Sequence, residues 1–156
     1  MSFSRSKPFK IAVMLLRIVL GAIFMYAAYA KLAESWRLFA AGIASYELLP
    51  MWAVEILART LPWLELLMGV LLILGLWRRA ATLATSGLLL VFFGLMVRAH
   101  IKGMTIDCGC FGPGETISWK TLLRDGSMLA GSLVVTVAAF VNRPRPLTPK
   151  VRAEAA

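Results

Sequence analysis

The sequence predicts an all-α, polytopic integral membrane protein: a four-helix bundle with an interfacial amphipathic helix after the first span. The 156 residues are 60% apolar and 16% charged, against about 45–50% and about 25% in soluble domains. A chain this short cannot bury so much apolar surface in a water-soluble core. Four apolar runs reach, or extend to, the roughly 20 residues that cross a bilayer. Two cysteines are too few for a disulfide scaffold.

The four predicted spans cover residues 11–30, 53–77, 80–97 and 121–141, and together form a membrane domain over residues 11–141. The fourth is long enough only if Lys120 and its neighbours form its first turns. The basic residues before the first span make it resemble a signal peptide. Its apolar run exceeds the roughly 7–15 residues of a signal peptide, so we expect an uncleaved span.

The distribution of Lys and Arg predicts the orientation of the bundle. With both termini inside, the inner segments hold nine Lys and Arg in 27 residues and the outer segments seven in 58. Residues 1–10 are then a cytoplasmic basic N-terminus, and residues 142–156 a cytoplasmic, disordered basic tail. The net charge of +9 flanks apolar runs instead of forming one basic face, which excludes nucleic-acid binding and favours contact with membrane lipids.

A short amphipathic helix is predicted between the first two spans. Its apolar side chains recur at helical spacing, which suits a helix lying at the membrane interface: Trp36, Phe39, Ile43 and Tyr46. Two interpretations stay open. The helix is either a linker that seals the bundle or a lid over a lateral pocket.

The predicted outer loop, residues 98–120, contains Cys108 and Cys110, separated by Gly109. A disulfide between them would close a very small ring, which gains little from loop-closure entropy and is a poor structural staple. Strained or exposed disulfides are more oxidising and tend to be catalytic or regulatory. Gly109 can adopt whatever backbone such a ring requires. The pattern predicts a redox-active pair in an oxidising compartment.

Two other interpretations of these cysteines stay open. They are either ordinary interfacial cysteines in a turn or part of a thiolate metal site. With His100 as a third ligand, Cys108 and Cys110 form a thin set for zinc, which normally takes four ligands. Soft copper(I) needs fewer, so copper handling remains an alternative.

Five charged residues lie toward the outer half of the predicted spans: Lys31, Glu65, Arg98, Arg124 and Asp125. Charge inside a membrane is costly and by default invites a functional hypothesis. Pairing Glu65 with one of the three basic residues is the cheapest way to bury it. Such a pair is either purely structural or functional. In the functional interpretation, the basic groups lower the pKa of a cysteine, or they bind a polar headgroup such as a quinone carbonyl.

The motifs of the chain, taken together, resemble those of the MauE/DoxX group of bacterial membrane proteins, and of its MauE-like branch in particular, over residues 10–141. They are Arg17, Gly21, Phe24 and Lys31 in span one; Pro62, Glu65, Gly69 and Gly75 in span two; and Asp107-Cys108-Gly109-Cys110-Phe111-Gly112. The last is the most specific. The resemblance implies a bundle in the bacterial inner membrane, redox maturation of periplasmic proteins with a thioredoxin-like partner, and methylamine utilisation.

DoxX-type relatives are linked to quinone-coupled sulfur oxidation, which suggests a quinone as cofactor. A pocket near Phe24, Glu65 and Arg98 is the hypothetical quinone site. The chain lacks the second cysteine pair of the quinone-linked disulfide-forming enzymes. Electrons would therefore pass directly between a partner's thiols and the Cys108/Cys110 pair.

The sequence thus predicts an inner-membrane thiol–disulfide oxidoreductase with a periplasmic Cys-Gly-Cys loop. A partner thiolate attacks one sulfur, and a mixed disulfide forms and is resolved. Asp107, Gly109, Lys31, Glu65, Arg98 and Arg124 are predicted to support the thiols. The alternatives are a copper-handling protein that uses the same thiolates and a non-catalytic membrane subunit of a larger complex or homo-oligomer.

Overall fold

The computed structural model describes residues 7–104, 106 and 116–141. The regular elements of these residues are five helices: α1 (Lys7–Ala33), α2 (Trp36–Ala44), α3 (Met51–Leu74), α4 (Arg78–Ile101) and α5 (Trp119–Val141). All except α2 are long and apolar enough to cross a membrane. The predicted all-α class with four spans is therefore confirmed.

The long helices begin and end within four residues of the predicted spans. The second span stops at Leu74 rather than residue 77, because Gly75 adopts the left-handed conformation with φ 70° and caps α3 by donating its N–H to the Leu71 carbonyl. Trp77 is also left-handed, with φ 42°, and α4 begins directly after it at Arg78. The turn is therefore tight.

The four long helices form a ring in which α1 and α4 each pack against both α3 and α5. The short helix α2 packs on the first half of α3, where Ala40 meets Val54 and Ala58. Its predicted apolar stripe faces this contact through Trp36, Phe39 and Ile43. Tyr46 follows the helix instead of extending it.

The core is continuous at one end of the bundle and divided at the other. At the end that carries the α3–α4 turn, here the turn end, a buried cluster takes one residue from each long helix: Leu20, Leu72, Ala81 and Val135. At the opposite end, here the loop end, one cluster joins α2 to α3 and a separate one joins α4 to α5 around Met96. The loop end therefore has space between two halves.

Hydroxyl groups hold α4 against α5. Ser86 Oγ lies 3.1 Å from Ser132 Oγ and 2.8 Å from Thr136 Oγ1, and Thr136 Oγ1 lies 3.1 Å from the Thr82 carbonyl. All four side chains are buried. Lipid gives no hydrophobic drive for helix association, so such interhelical hydrogen bonds contribute to pairing.

Glycines let α1 and α3 approach at backbone distance. A Cβ added at Gly69 would lie 2.8 Å from the Gly21 carbonyl oxygen, and one added at Gly21 would lie 2.9 Å from that of Gly69. No residue with a side chain fits there without moving a helix. The α1–α3 contact therefore depends on both glycines.

Replacing Gly69 by alanine is expected to destabilise the bundle. Overpacking costs about 1–3 kcal/mol, only partly offset by the roughly 1 kcal/mol that alanine gains in a helix. Thermal unfolding of purified protein in detergent measures the difference. Gly94→Ala is the matched control, since nothing lies within 4 Å of a Cβ there. Equal midpoints for the two variants would contradict the close α1–α3 contact.

Candidate functional site

A buried ion pair joins α1 to α3. Lys31 Nζ donates hydrogen bonds to both carboxylate oxygens of Glu65, at 2.8 and 2.7 Å. The two side chains are 2% and 6% exposed. Of the three basic partners that the sequence offered Glu65, the structure brings Lys31 to it.

The glycine contact sets the position of this pair. Toward the loop end, Lys31 lies ten residues along α1 from Gly21, a distance of about 15 Å. Because α3 runs in the opposite direction, Glu65 lies four residues toward the loop end from Gly69, a distance of about 6 Å. Side chains of a helix lean toward its N-terminus, so the long Lys31 side chain reaches back into the bundle to meet Glu65. A shorter side chain at position 31 could not span this offset.

The helix α2 covers the ion pair on one side. Phe39 presents its ring to Lys31, with Nζ 5.4 Å from the ring centroid. A cation over an aromatic face gains electrostatic stabilisation, more so where water is excluded. The amphipathic helix therefore does more than connect the first two spans.

An internal cavity of about 40 Å³ adjoins the ion pair. Lys31, Glu65 and Asp125 are its charged lining residues, and Phe24 contributes an aromatic wall. The rest of the lining is apolar, chiefly from α4: Ile23, Ala27, Leu88, Leu89, Phe92, Phe93, Met96 and Met128. A cavity needs about 10–15 Å³ to hold one water molecule, so this one has room for a few waters beside three charged groups.

Asp125 is a member of this site that the sequence analysis named among the charged residues of the outer half but did not select as a site residue. It is 5% exposed, and its Oδ1 accepts a hydrogen bond from Arg124 Nε at 3.1 Å. The signal was present, because Asp125, Leu129, Ser132 and Thr136 recur at helical spacing and are all buried. Arg124 therefore supports Asp125 rather than Glu65.

The start of α5 is fixed by a reciprocal cap. The Ser118 N–H donates to Thr121 Oγ1 at 2.8 Å, and the Thr121 N–H donates to Ser118 Oγ at 3.4 Å. This arrangement satisfies N–H groups that a helix start leaves without partners. It also fixes the rotation of α5 that turns Asp125 inward.

The segment that carries the cysteines starts and ends at the loop end. The Ile117 N–H donates to the Ile106 carbonyl at 3.0 Å, which ties the two flanks of the segment together. Ile117 also packs on Met96 and Leu122, and Met96 lines the cavity. The stem of the segment is thus attached to the wall of the charged cavity.

An open groove of about 390 Å³ lies on the other side of Lys31, between the end of α1, the start of α2 and α3. Trp36 and Trp63 are its aromatic walls, and Arg59 stacks on Trp36 with Cζ 4.3 Å from the ring centroid. Lys31 lines both the groove and the cavity. The ion pair therefore separates the two spaces.

Several predicted site residues do not join this cluster. Arg98 is half-buried near the end of α4 and does not line the cavity with Phe24 and Glu65. The predicted three-residue quinone pocket is therefore not assembled as expected, because α4 presents its apolar face, including Phe92 and Met96, to the cavity.

The metal alternative receives no support from the described part of the chain. Within it, no three His, Cys, Asp or Glu side chains are grouped to hold a metal ion. His100 is exposed, with its ring centroid 6.5 Å from that of Trp119. Cys108 and Cys110, with Asp107 and Gly109, lie outside the described residues, so their roles stay predictions.

Breaking the ion pair is expected to destabilise the protein strongly. Removing one partner of a buried pair leaves an uncompensated charge and costs about 3–5 kcal/mol. Glu65→Gln and Lys31→Met should each lower the unfolding midpoint in detergent. The unfolding midpoint of the double variant should fall by much less than the sum of the decreases in the two single variants. Glu55→Gln, an exposed carboxylate on the same helix, is the matched control. If Glu65→Gln and Lys31→Met lower the unfolding midpoint no more than Glu55→Gln does, the ion pair does not stabilise the protein.

Comparison with known proteins identifies relatives over most of the chain. The family model described as "Methylamine utilisation protein MauE" matches residues 9–138. A methylamine utilization protein MauE of Paracoccus denitrificans is 32% identical over 136 residues, which are 85% of this chain and 73% of the relative.

A second relative of the same description, from Methylorubrum extorquens, is 31% identical over 116 residues. The match covers 72% of this chain but only 61% of that relative's length. No solved structure shows a significant match. The family model and the first relative, each covering more than four fifths of the chain, show that this protein belongs to the MauE family.

Proposed function

We propose that this MauE-family protein is a membrane thiol–disulfide oxidoreductase in which Cys108 and Cys110 exchange a disulfide with a periplasmic, thioredoxin-like partner or substrate protein. The proposal places the chain in the bacterial inner membrane, with both termini cytoplasmic and the cysteine segment periplasmic. Its relatives are named for methylamine utilisation. We extend that role to this chain as maturation of a periplasmic protein of such a system.

The observation that carries the proposal is the isolated Cys-Gly-Cys sequence between two flanks tied at the loop end. Two cysteines one residue apart have little structural use as a disulfide, for the entropic reason given above. Their stem packs on Met96, beside a cavity with an ammonium group and two carboxylates. A water-sized space lined by charged groups, at the end of the bundle where the flanks of the cysteine segment meet, suits chemistry in which protons are released and taken up.

The exchange is balanced in electrons and protons. A partner thiolate attacks one sulfur of the Cys108–Cys110 disulfide, which breaks the S–S bond, forms a mixed disulfide and releases the other cysteine as a thiolate. The partner's second thiolate then attacks its own sulfur in the mixed disulfide and frees the first cysteine. The partner loses two electrons and two protons, and this chain gains two cysteine thiols. In the reverse direction the second cysteine resolves the mixed disulfide.

A membrane quinone is the proposed oxidant of the resulting dithiol. Two thiols become a disulfide while the quinone takes up two electrons and two protons and becomes a quinol. Apolar cavities that bind a six-membered ring measure about 150 Å³, so the cavity of about 40 Å³ beside Phe24 and Glu65 is too small without side-chain movement. The groove of about 390 Å³ is large enough for a ring, and the Arg59 guanidinium is a cation on its wall.

The Cys108/Cys110 pair is expected to titrate as a reversible two-electron couple. Purified protein is equilibrated in graded redox buffers, and the mass shift on thiol alkylation reports the reduced fraction. The expected midpoint is more oxidising than about −300 mV, the value below which structural disulfides of secreted proteins typically lie. The single variants Cys108→Ser and Cys110→Ser should trap a mixed disulfide with a partner that the double variant cannot form.

Two outcomes of this titration would overturn the proposal. Thiols that stay unmodified until a chelator is added indicate the copper alternative, which stoichiometric metal on the purified protein would support. Thiols that never pair in the unaltered protein, together with a double Cys→Ser variant that still supports partner maturation in cells, indicate a non-catalytic membrane subunit.

The groove is expected to control re-oxidation by quinone. In membranes given reduced partner, Trp63→Ala should slow quinol formation, because it removes one aromatic wall of the groove. Trp52→Ala, an equally exposed tryptophan on α3 outside the groove, is the matched control. The redox midpoint of the cysteines should be the same in both. Equal rates of quinol formation in the two variants would contradict a quinone in this groove.

A further inference from the structure

An arginine cluster at the turn end has no part in the proposed redox function. Arg17 lies inside α1, ten residues from its start, and its guanidinium packs against Gly75 in the α3–α4 turn. A Cβ at Gly75 would lie 2.6 Å from Arg17 Nη1. Arg78 reaches the same glycine, donating from Nε to its carbonyl oxygen at 3.3 Å. Two guanidinium groups thus meet at one residue.

The described part of the chain places no compensating carboxylate beside this cluster. Among the residues that the structure describes, no acid forms an ion pair with Arg17, Arg78 or Arg79. Arg17 Nε is buried and has no hydrogen-bond partner among the described residues. Arg79 lies over the Phe140 ring, with Cζ 5.4 Å from the centroid. Like charges at the edge of an apolar bundle repel unless an anion lies between them.

The start of α4 adds partial positive charge at the same place. Trp77 precedes α4 as its N-cap and makes no side-chain hydrogen bond to the helix, and the first turn contains no acid. Its first N–H groups therefore lack an intrahelical or capping partner. Together with the helix dipole they favour an anion beside Arg78.

Large apolar side chains around the turn indicate which anion this is. Leu74, Leu76 and Trp77 are 63%, 52% and 80% exposed. In a membrane such side chains contact acyl chains, and tryptophan is typical of the headgroup level. A lipid phosphate would reach the arginines while its acyl chains pack along the leucines.

We propose that Arg17 and Arg78 bind the phosphate of an anionic phospholipid at the α3–α4 turn. The lipid belongs to the leaflet at the turn end. Its net negative charge balances the cluster, which a zwitterionic lipid with a choline group does not. The bound lipid would join α1 to the α3–α4 turn at the end of the bundle where the core is continuous.

Native mass spectrometry of the full chain in a non-ionic detergent tests this site. Phosphatidylglycerol is the probe, phosphatidylcholine the zwitterionic comparison and inorganic phosphate the free anion. One arginine near a lipid phosphate contributes roughly fivefold in affinity. Arg17→Gln and Arg78→Gln should each weaken phosphatidylglycerol binding by about this factor and leave phosphatidylcholine binding unchanged.

Arg37→Gln is the matched control, an exposed arginine on α2 at the loop end that should leave lipid affinity unchanged. If Arg17→Gln does not fold, the exposed Arg78 still tests the site. Equal affinity for the two lipids, equal weakening in Arg37→Gln, or displacement of phosphatidylglycerol by millimolar inorganic phosphate would overturn the lipid proposal.

Discussion

The burial of Lys31 and Glu65 is the constraint on which the loop end of this bundle depends. Neither charge is tolerated alone in an apolar interior, so each requires the other at hydrogen-bond distance. The backbone contact at Gly21 and Gly69 brings α1 close enough to α3 for the pair to form. The aromatic face of Phe39 then screens Lys31 from one side. A glycine contact in the middle of the bundle therefore positions a charged site near its end.

The same pair explains why the core divides. A single apolar cluster unites the four long helices at the turn end, but charged groups occupy the corresponding space at the loop end. Apolar side chains there pack within each half, on α2 and α3 or on α4 and α5. Separate clusters can shift relative to each other at lower cost than a continuous core, because local opening follows the density of buried apolar contacts. The divided end is also the end to which the stem of the cysteine segment is attached.

Composition and span length determine the fold class. Pro62, Glu65 and Gly69, which the sequence analysis named as motif residues of span two, all lie on the buried face of α3. The choice among the three basic partners of Glu65 could not be made from sequence, since it depends on which helices are neighbours and on the reach of the Lys31 side chain. Arg98 and Asp125 show the same limit: each is a charged residue near a span end, and only the rotation of α4 and α5 directs the carboxylate inward. The predicted second span extends to residue 77, three residues past the end of α3 at Leu74. The run of apolar residues continues there, but the left-handed backbone at Gly75 ends the helix.

The two ends of the bundle differ in how their charged side chains are neutralised. All described acids lie toward the loop end, where Glu65 and Asp125 are neutralised within the protein by Lys31 and Arg124. Among the described residues, the charged groups at the turn end are all cations, which the proposed lipid phosphate would neutralise. The ion pairs of the loop end allow charged groups to line a small cavity within the bundle. With the proposed phospholipid bound, the turn end would be held at the headgroup level of its leaflet.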